Sequence, residues 1–118
     1  MGVKMIVHKG RTIVFTDYRG LITAEQQIQL LEELIKTLKM SPTSLLILSN
    51  FEDISIGTEF MNRGKAMGKE YETKIKRQAF IGVMGLKKIL FQGFVTFTGA
   101  KEIKSFDNET EAKDWLVS

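Results

Sequence analysis

The chain contains no cysteine and a single histidine, His8, and these two scarcities exclude more chemistry than any motif supplies. Without thiols there are no disulfides, no thiolate nucleophile and no cysteine-ligated zinc or iron–sulfur centre. With one imidazole, a histidine-dependent triad or a multi-histidine metal site needs partners from a second chain. Proline is almost as scarce. Pro42 stands alone, and no low-complexity stretch or repeat interrupts the 118 residues, so residues 1–118 read as one domain. Long apolar runs are missing too. The longest lies near Leu86 to Phe97, is interrupted by Lys87 and Lys88, and is too short to span a bilayer. Met1 to Ile6 has no apolar core of signal-peptide length, and Ile6 stands where a myristoylation motif needs Ser or Thr. These features lead us to expect a soluble cytoplasmic protein without a transmembrane segment.

At 43% hydrophobic and 26% charged residues, the chain can bury a real core without staples. The net charge of +3 conceals an asymmetry. Between Arg63 and Lys88, eight basic residues face two acidic ones, so this quarter carries +6. Such a sector can steer toward anions. Its two aromatic residues, Tyr71 and Phe80, do not alternate with the basic ones as a base-stacking platform requires, so a solvated helix face is expected and nucleic acid is not.

Hydrophobic periodicity gives the elements. Val3, Met5 and Val7 alternate with polar residues, which suits an edge strand, and Lys9-Gly10 centres a tight turn into Thr12 to Thr16, apolar on both faces. Thr23-Ala-Glu-Gln26 has capping-box spacing and opens a helix with Ala24, Ile28, Leu31, Leu34, Ile35 and Leu38 on one stripe, stopped by Ser41-Pro42. Leu45 to Leu48 and Ala79 to Met84 are uniformly apolar, as buried parallel strands are. Between them, a helix of roughly Thr58 to Lys74 gathers Phe60, Met61, Gly64, Met67, Gly68, Tyr71 and Ile75 on one side. A phenylalanine-rich helix follows Gly85, then a short strand Glu102 to Phe106, and a last helix capped by Asp107 or Asn108 that docks Ala112, Trp115 and Leu116. The order β-β-α-β-α-β-α-β-α predicts an α/β fold, a five-stranded, mostly parallel sheet with one antiparallel edge strand.

Asp17-Tyr-Arg-Gly20, Leu45-Leu-Ile-Leu48, Gln78-Ala-Phe-Ile-Gly-Val-Met-Gly-Leu-Lys-Lys88 and Phe106-Asp-x-x-x-Glu-Ala-x-x-Trp-Leu116 together resemble the STAS-like family of small SpoIIAA-type proteins. That family is often grouped by fold with CRAL-TRIO lipid-binding domains. The likeness spans nearly the whole chain and implies a regulatory binding module of the same sheet architecture. Anti-sigma-factor antagonists of the wider family carry a phosphorylatable serine in an Asp-Ser pair after the central strand. Here Ile54 separates Asp53 from Ser55, so the pair is imperfect and Ser55 is the candidate phosphoacceptor.

Parallel sheets bind ligands at the carboxyl ends of their strands, which places Asp17, Tyr18, Arg19, Ser49, Asn50, Lys87 and Lys88 on a candidate ligand or anion rim, beside Asp53 and Gly85. Glu52 and Asp53 are adjacent, so in an extended segment they point apart, a poor arrangement for acid–base work. Gly82-x-x-Gly85 lacks the third glycine of a dinucleotide loop, and no P-loop exists. No catalytic residue, metal site or cofactor is therefore assigned. On the helix after Gly85, Phe91 and Val95 fall outside the main apolar arc and stack at i, i+4, a candidate interaction patch for a homodimer or an acyl chain. His8 reads as a surface residue. Three classes of function follow: a non-enzymatic regulatory module with a protein partner, a small apolar-ligand or lipid carrier with a pocket of a few hundred Å³ beneath the helices, and, most remotely, an enzyme using Asp17, Glu52 or Asp53.

Overall fold

A computed structural model describes residues 2–83, 88, 91, 92 and 102–118 of the chain. Five strands form one sheet in the order β1 (Gly2–His8), β2 (Arg11–Asp17), β3 (Leu45–Asn50), β4 (Ile75–Ile81) and β5 (Ile103–Phe106). β1 runs antiparallel to β2, and each later neighbour pairs in parallel. The turn between the first two strands has positive φ at both Lys9 (49°) and Gly10 (77°), the combination whose twist matches that of a two-residue hairpin.

Three α-helices are described: α1 (Ala24–Met40), α2 (Thr58–Glu70) and α3 (Glu109–Leu116). The Thr23 hydroxyl accepts from the Gln26 amide while the Gln26 side chain accepts from the Thr23 amide, so the expected capping box starts α1. Asn108, not Asp107, caps α3 by accepting from the Glu111 amide.

The inward faces of the parallel strands produce two cores. On one side Val14, Ile47 and Phe80 pack under α1 and α2, joined by Phe91. On the other, Ile13, Leu46, Leu48, Ala79 and Ile81 pack against Ala112 and Leu116 of α3. This is why residues 13–15 of β2, 45–48 of β3 and 79–81 of β4 read as continuous apolar runs.

Three expectations need correction. The second helix ends at Glu70, capped by Tyr71, and a 3₁₀ turn over Glu72–Lys74 leads into β4 at Ile75, so Ile75 belongs to the sheet and not to a helical stripe. β4 stops at Ile81 and does not reach Met84, because Gly82 adopts φ +81°, outside strand geometry. Met5 and Val7, expected on the dry face of the edge strand, are 56% and 73% exposed, while Val3 on the same face is partly covered. Lys88, Phe91 and Gln92 are helical, in keeping with the helix expected after Gly85. The rest of that helix lies outside the described residues.

Much of the basic sector serves the fold. Arg63 pairs with Glu32 at 3.2 Å, Lys74 donates to the Ser41 carbonyl, and Arg77 bridges Glu102, the Trp115 carbonyl and the terminal residue Ser118. Its guanidinium also lies 5.2 Å from the centre of the Trp115 ring. Among the described residues no helix is long and apolar enough to cross a membrane.

Candidate binding rim at the carboxyl ends of the strands

The ends of β2, β3 and β4 are laced together by two backbone hydrogen bonds: the Tyr18 amide donates to Asn50 O at 2.9 Å and the Phe51 amide to Ile81 O at 2.8 Å. Beneath this seam the Tyr18 ring stacks on Phe51, centroids 4.7 Å apart, and Phe60, Phe80 and Phe91 continue the cluster edge to face. Tyr18 is thus a core residue, 1% exposed, and burial pushes its phenol pKa up, keeping it neutral.

Two more residues expected on the rim turn inward. Ser49 is buried with its hydroxyl 2.6 Å from that of Thr16, because it lies on the α1/α2 face of a strand covered on both sides. Asn50 is buried and folds back on the next loop, its Oδ1 accepting from the Glu52 amide at 2.9 Å and its Nδ2 donating to Glu52 Oε1 at 3.1 Å. Asp17 and Arg19 stay at the surface, locked to each other. The guanidinium donates to both carboxylate oxygens at 2.8 Å, which holds the Asp17 carboxyl below its usual range and raises Arg19. Lys87 and Val95 lie outside the described residues. Phe91 is 9% exposed and packs edge to face on Phe80, so its ring is a core contact and not part of an exposed patch.

The loop from Phe51 to Gly57 is held from three directions. Asn50 folds its start as just described. Asp53 takes a left-handed conformation, φ 60°, which aspartate tolerates better than most residues. Gln27, 2% exposed on α1, donates through Nε2 to the Leu21 carbonyl at 2.8 Å and the Ser55 carbonyl at 2.9 Å, tying the loop to the helix across the core. Ile54 and Ile56 point inward and the intervening Ser55 is exposed. The left-handed turn also breaks the extended backbone expected at Glu52 and Asp53, so both line the same cleft. That open cleft, about 880 Å³, is bounded by Glu52, Asp53, Ser55, Gly82, Lys88, Ser105 and Asp107, with Ile54, Val83 and Phe106 between them.

Of the residues singled out in the sequence, the structure therefore brings Glu52, Asp53, Ser55 and Lys88 to one cleft, leaves the Asp17–Arg19 pair as a closed unit at the end of β2, and buries Tyr18, Ser49, Asn50 and Phe91. Gln27, Ser105 and Asp107 were missed. Gln27 had a signal: at i, i+4 and i+7 it shares a stripe with Leu31 and Leu34, where a polar residue must be satisfied internally. Ser105 and Asp107 had none, since only the β4–β5 pairing carries them there. Among the described residues no group of His, Asp and Glu is arranged to hold a metal ion.

A family model described as SpoIIAA-like matches residues 13–117. The chain belongs to the SpoIIAA-like family. Two solved structures share the SpoIIAA-like fold. An uncharacterised protein with a SpoIIAA-like fold from Shewanella loihica is 19% identical, with a TM-score of 0.67 over 98% of this chain and 92% of that one. An anti-sigma-factor antagonist (STAS) domain protein from Planctomyces limnophilus is 15% identical, with a TM-score of 0.62 over the full length of both chains. A search of curated proteins gives no match. The resemblance read from the sequence and the five-stranded α/β architecture are thereby both established.

Proposed function

We propose that this SpoIIAA-like chain is a non-enzymatic regulatory module that binds a protein partner through the cleft at the carboxyl ends of β3, β4 and β5, with phosphorylation of Ser55 as its control. The observation that carries this reading is the contrast at Ser55: an exposed side chain on a backbone anchored by the buried Gln27. A kinase needs the first and a faithful readout needs the second. A phosphate brings about −1.5 to −2 charges at neutral pH. Here it enters a cleft shared by Lys88, Glu52, Asp53 and Asp107, just ahead of the amino end of α2, and so changes the surface charge a partner meets.

Two measurements test it. Intact-mass and peptide analysis of protein isolated from its own cells is expected to find phosphate on Ser55. A partner recovered with wild-type protein is expected to bind the Ser55→Ala and Ser55→Glu variants with affinities differing at least tenfold. Absence of phosphate on Ser55, together with equal binding by both variants, overturns the proposal.

A second reading, a small apolar ligand or lipid, is favoured by an apolar cavity under α2 lined by Tyr18, Leu34, Phe60, Met67, Phe80 and Phe91 among others. Its volume in this conformation is about 30 Å³, room for roughly one water and not for an acyl chain. Ligand entry therefore requires α2 or its neighbours to move outward. Native mass spectrometry that finds a co-purifying lipid selects this reading over the first.

A further inference from the structure

β1 is hydrogen-bonded to β2 along one edge, and among the described residues no strand pairs with its other edge. A seven-residue edge of this kind presents a row of backbone donors and acceptors to any strand of matching register. On the α1 face of β1 stand Val3, Met5 and Val7. Met5 sits opposite Val14, which is wholly buried, yet Met5 itself is 56% exposed and Val7 73%. The reason is the path of α1, which crosses the start of the strand: a Cβ on Gly2 would lie 3.6 Å from Leu30 and 3.3 Å from Glu33. Beyond that crossing a groove of about 380 Å³ remains between β1 and α1, bordered by Val3, Lys4, Met5, Glu33, Lys36 and Thr37.

We propose that this edge pairs with the same edge of a second copy of the chain, antiparallel and centred on Met5, so that two five-stranded sheets become one across a two-fold axis. A two-fold axis requires a self-complementary surface. β1 supplies one: with Met5 facing Met5, Val3 faces Val7 and Val7 faces Val3, giving six apolar side chains in one strip on the α1 face. On the opposite face Lys4 lies against Ile6, so no like charges stand directly across the seam. The neighbouring two-fold registers lack this match. Centring on Lys4 sets Lys4 against Lys4, and centring on Ile6 sets Lys4 against His8, pairings that cost stability when both groups are charged. Because the axis is perpendicular to the sheet, the two α1 helices flank the seam on the same side. Each groove sets Glu33 against Lys4 and Lys36, so the approach of two identical faces is opposed only by a small net positive charge that salt screens. This surface is separate from the Ser55 cleft, and its failure leaves the functional proposal standing.

The absence of native cysteine makes the test direct. Residues facing each other across a two-fold strand pair have Cα atoms about 4.5–5.5 Å apart, within the range of a disulfide. Under mild oxidation Met5→Cys is expected to form covalent dimers nearly completely. Met40→Cys, at a position 84% exposed and therefore more open to chance collision, is expected to remain monomeric. In sedimentation equilibrium the wild-type chain is expected to dimerise, and Met5→Glu, which sets two carboxylates face to face, to raise the dissociation constant at least tenfold with its circular dichroism spectrum unchanged. Sedimentation of the wild type as a monomer at every soluble concentration, or equal cross-linking of the two cysteine variants, overturns the proposal.

Discussion

A Cβ on Gly82 would stand 2.5 Å from the backbone nitrogen of Glu52, so the end of β4 and the start of the β3–α2 loop touch backbone to backbone. Gly82 also has φ +81°, a region that L side chains enter only at a cost. Neither obstacle can be relieved by rotating a side chain, since the atoms that would collide are main chain. Gly82→Ala is expected to cost roughly 2–4 kcal/mol, combining left-handed strain with displacement of the loop. Gly57 has no atom within 4 Å of its Cβ position and occupies the N-cap of α2. Gly57→Ser is expected to be neutral or stabilising by a few tenths of a kcal/mol. Urea unfolding of the two variants beside the wild type checks both, and equal midpoints for all three would refute the contact.

The periodic elements were legible because period and environment agree: the capping box of α1, the apolar runs of β3 and of the end of β4 and the hairpin at Lys9-Gly10 each follow from a local pattern. The boundary between α2 and β4 was not. Tyr71 and Ile75 continue the apolar helical spacing, and only sheet pairing of Ile75 with Leu45 decides that the chain extends there. The candidate site was legible as an address at the strand ends and illegible in detail. Tyr18, Ser49 and Asn50 occupy the expected ends, but a side chain's direction depends on strand parity and on what covers each face, and both faces here are covered. In the sequence Gly82 stands out only as half of an incomplete dinucleotide-loop spacing, whereas its role is close backbone approach, a property that spacing does not encode.

Gln27 makes a specific prediction for the Ser55 loop. Its amide satisfies two carbonyls, those of Leu21 and Ser55, from a side chain 2% exposed. Gln27→Leu fills similar space and leaves both acceptors without that donor, a penalty of about 2–4 kcal/mol for the two together. Hydrogen exchange is expected to rise in residues 51–57 more than in β3 or β4, because the loop loses its tie to α1 while the sheet ladder stays intact. Uniform acceleration across the domain would show that Gln27 supports the fold generally and not the loop.

Two carboxylates set the acid limb of stability. Asp114 on α3 accepts from His8 at 2.7 Å and Lys9 at 3.1 Å, joining the first hairpin to the last helix, and these two contacts depress its pKa below the ordinary 3.8. Arg19 does the same for Asp17. A carboxyl whose folded pKa lies below its unfolded value stabilises fully above the unfolded value and loses that contribution as pH falls through the folded one. Melting temperature is therefore expected to fall more steeply below about pH 3.8 in the wild type than in an Asp17→Asn, Asp114→Asn double variant. At neutral pH the double variant is expected to be modestly less stable, the partly exposed Asp17–Arg19 pair contributing at most about 1 kcal/mol. Parallel acid limbs would show that neither pair is kept in solution.

Phe91 decides between a surface patch and a core on the α1/α2 face. Its ring meets Phe80 edge to face with centroids 5.1 Å apart and borders the small cavity under α2. If the ring is core, Phe91→Ala removes apolar contacts and enlarges that cavity, a loss of about 2–4 kcal/mol at this degree of burial. If it is an exposed docking residue, the same change alters association and leaves the unfolding midpoint nearly untouched. The structure predicts the first: a large drop in the urea midpoint, no change in oligomeric state beyond that caused by unfolding, and partial recovery in Phe91→Leu, which restores most of the lost volume. A stable Phe91→Ala protein with altered self-association would move this residue back to the surface and, with it, the partner-binding face of the molecule.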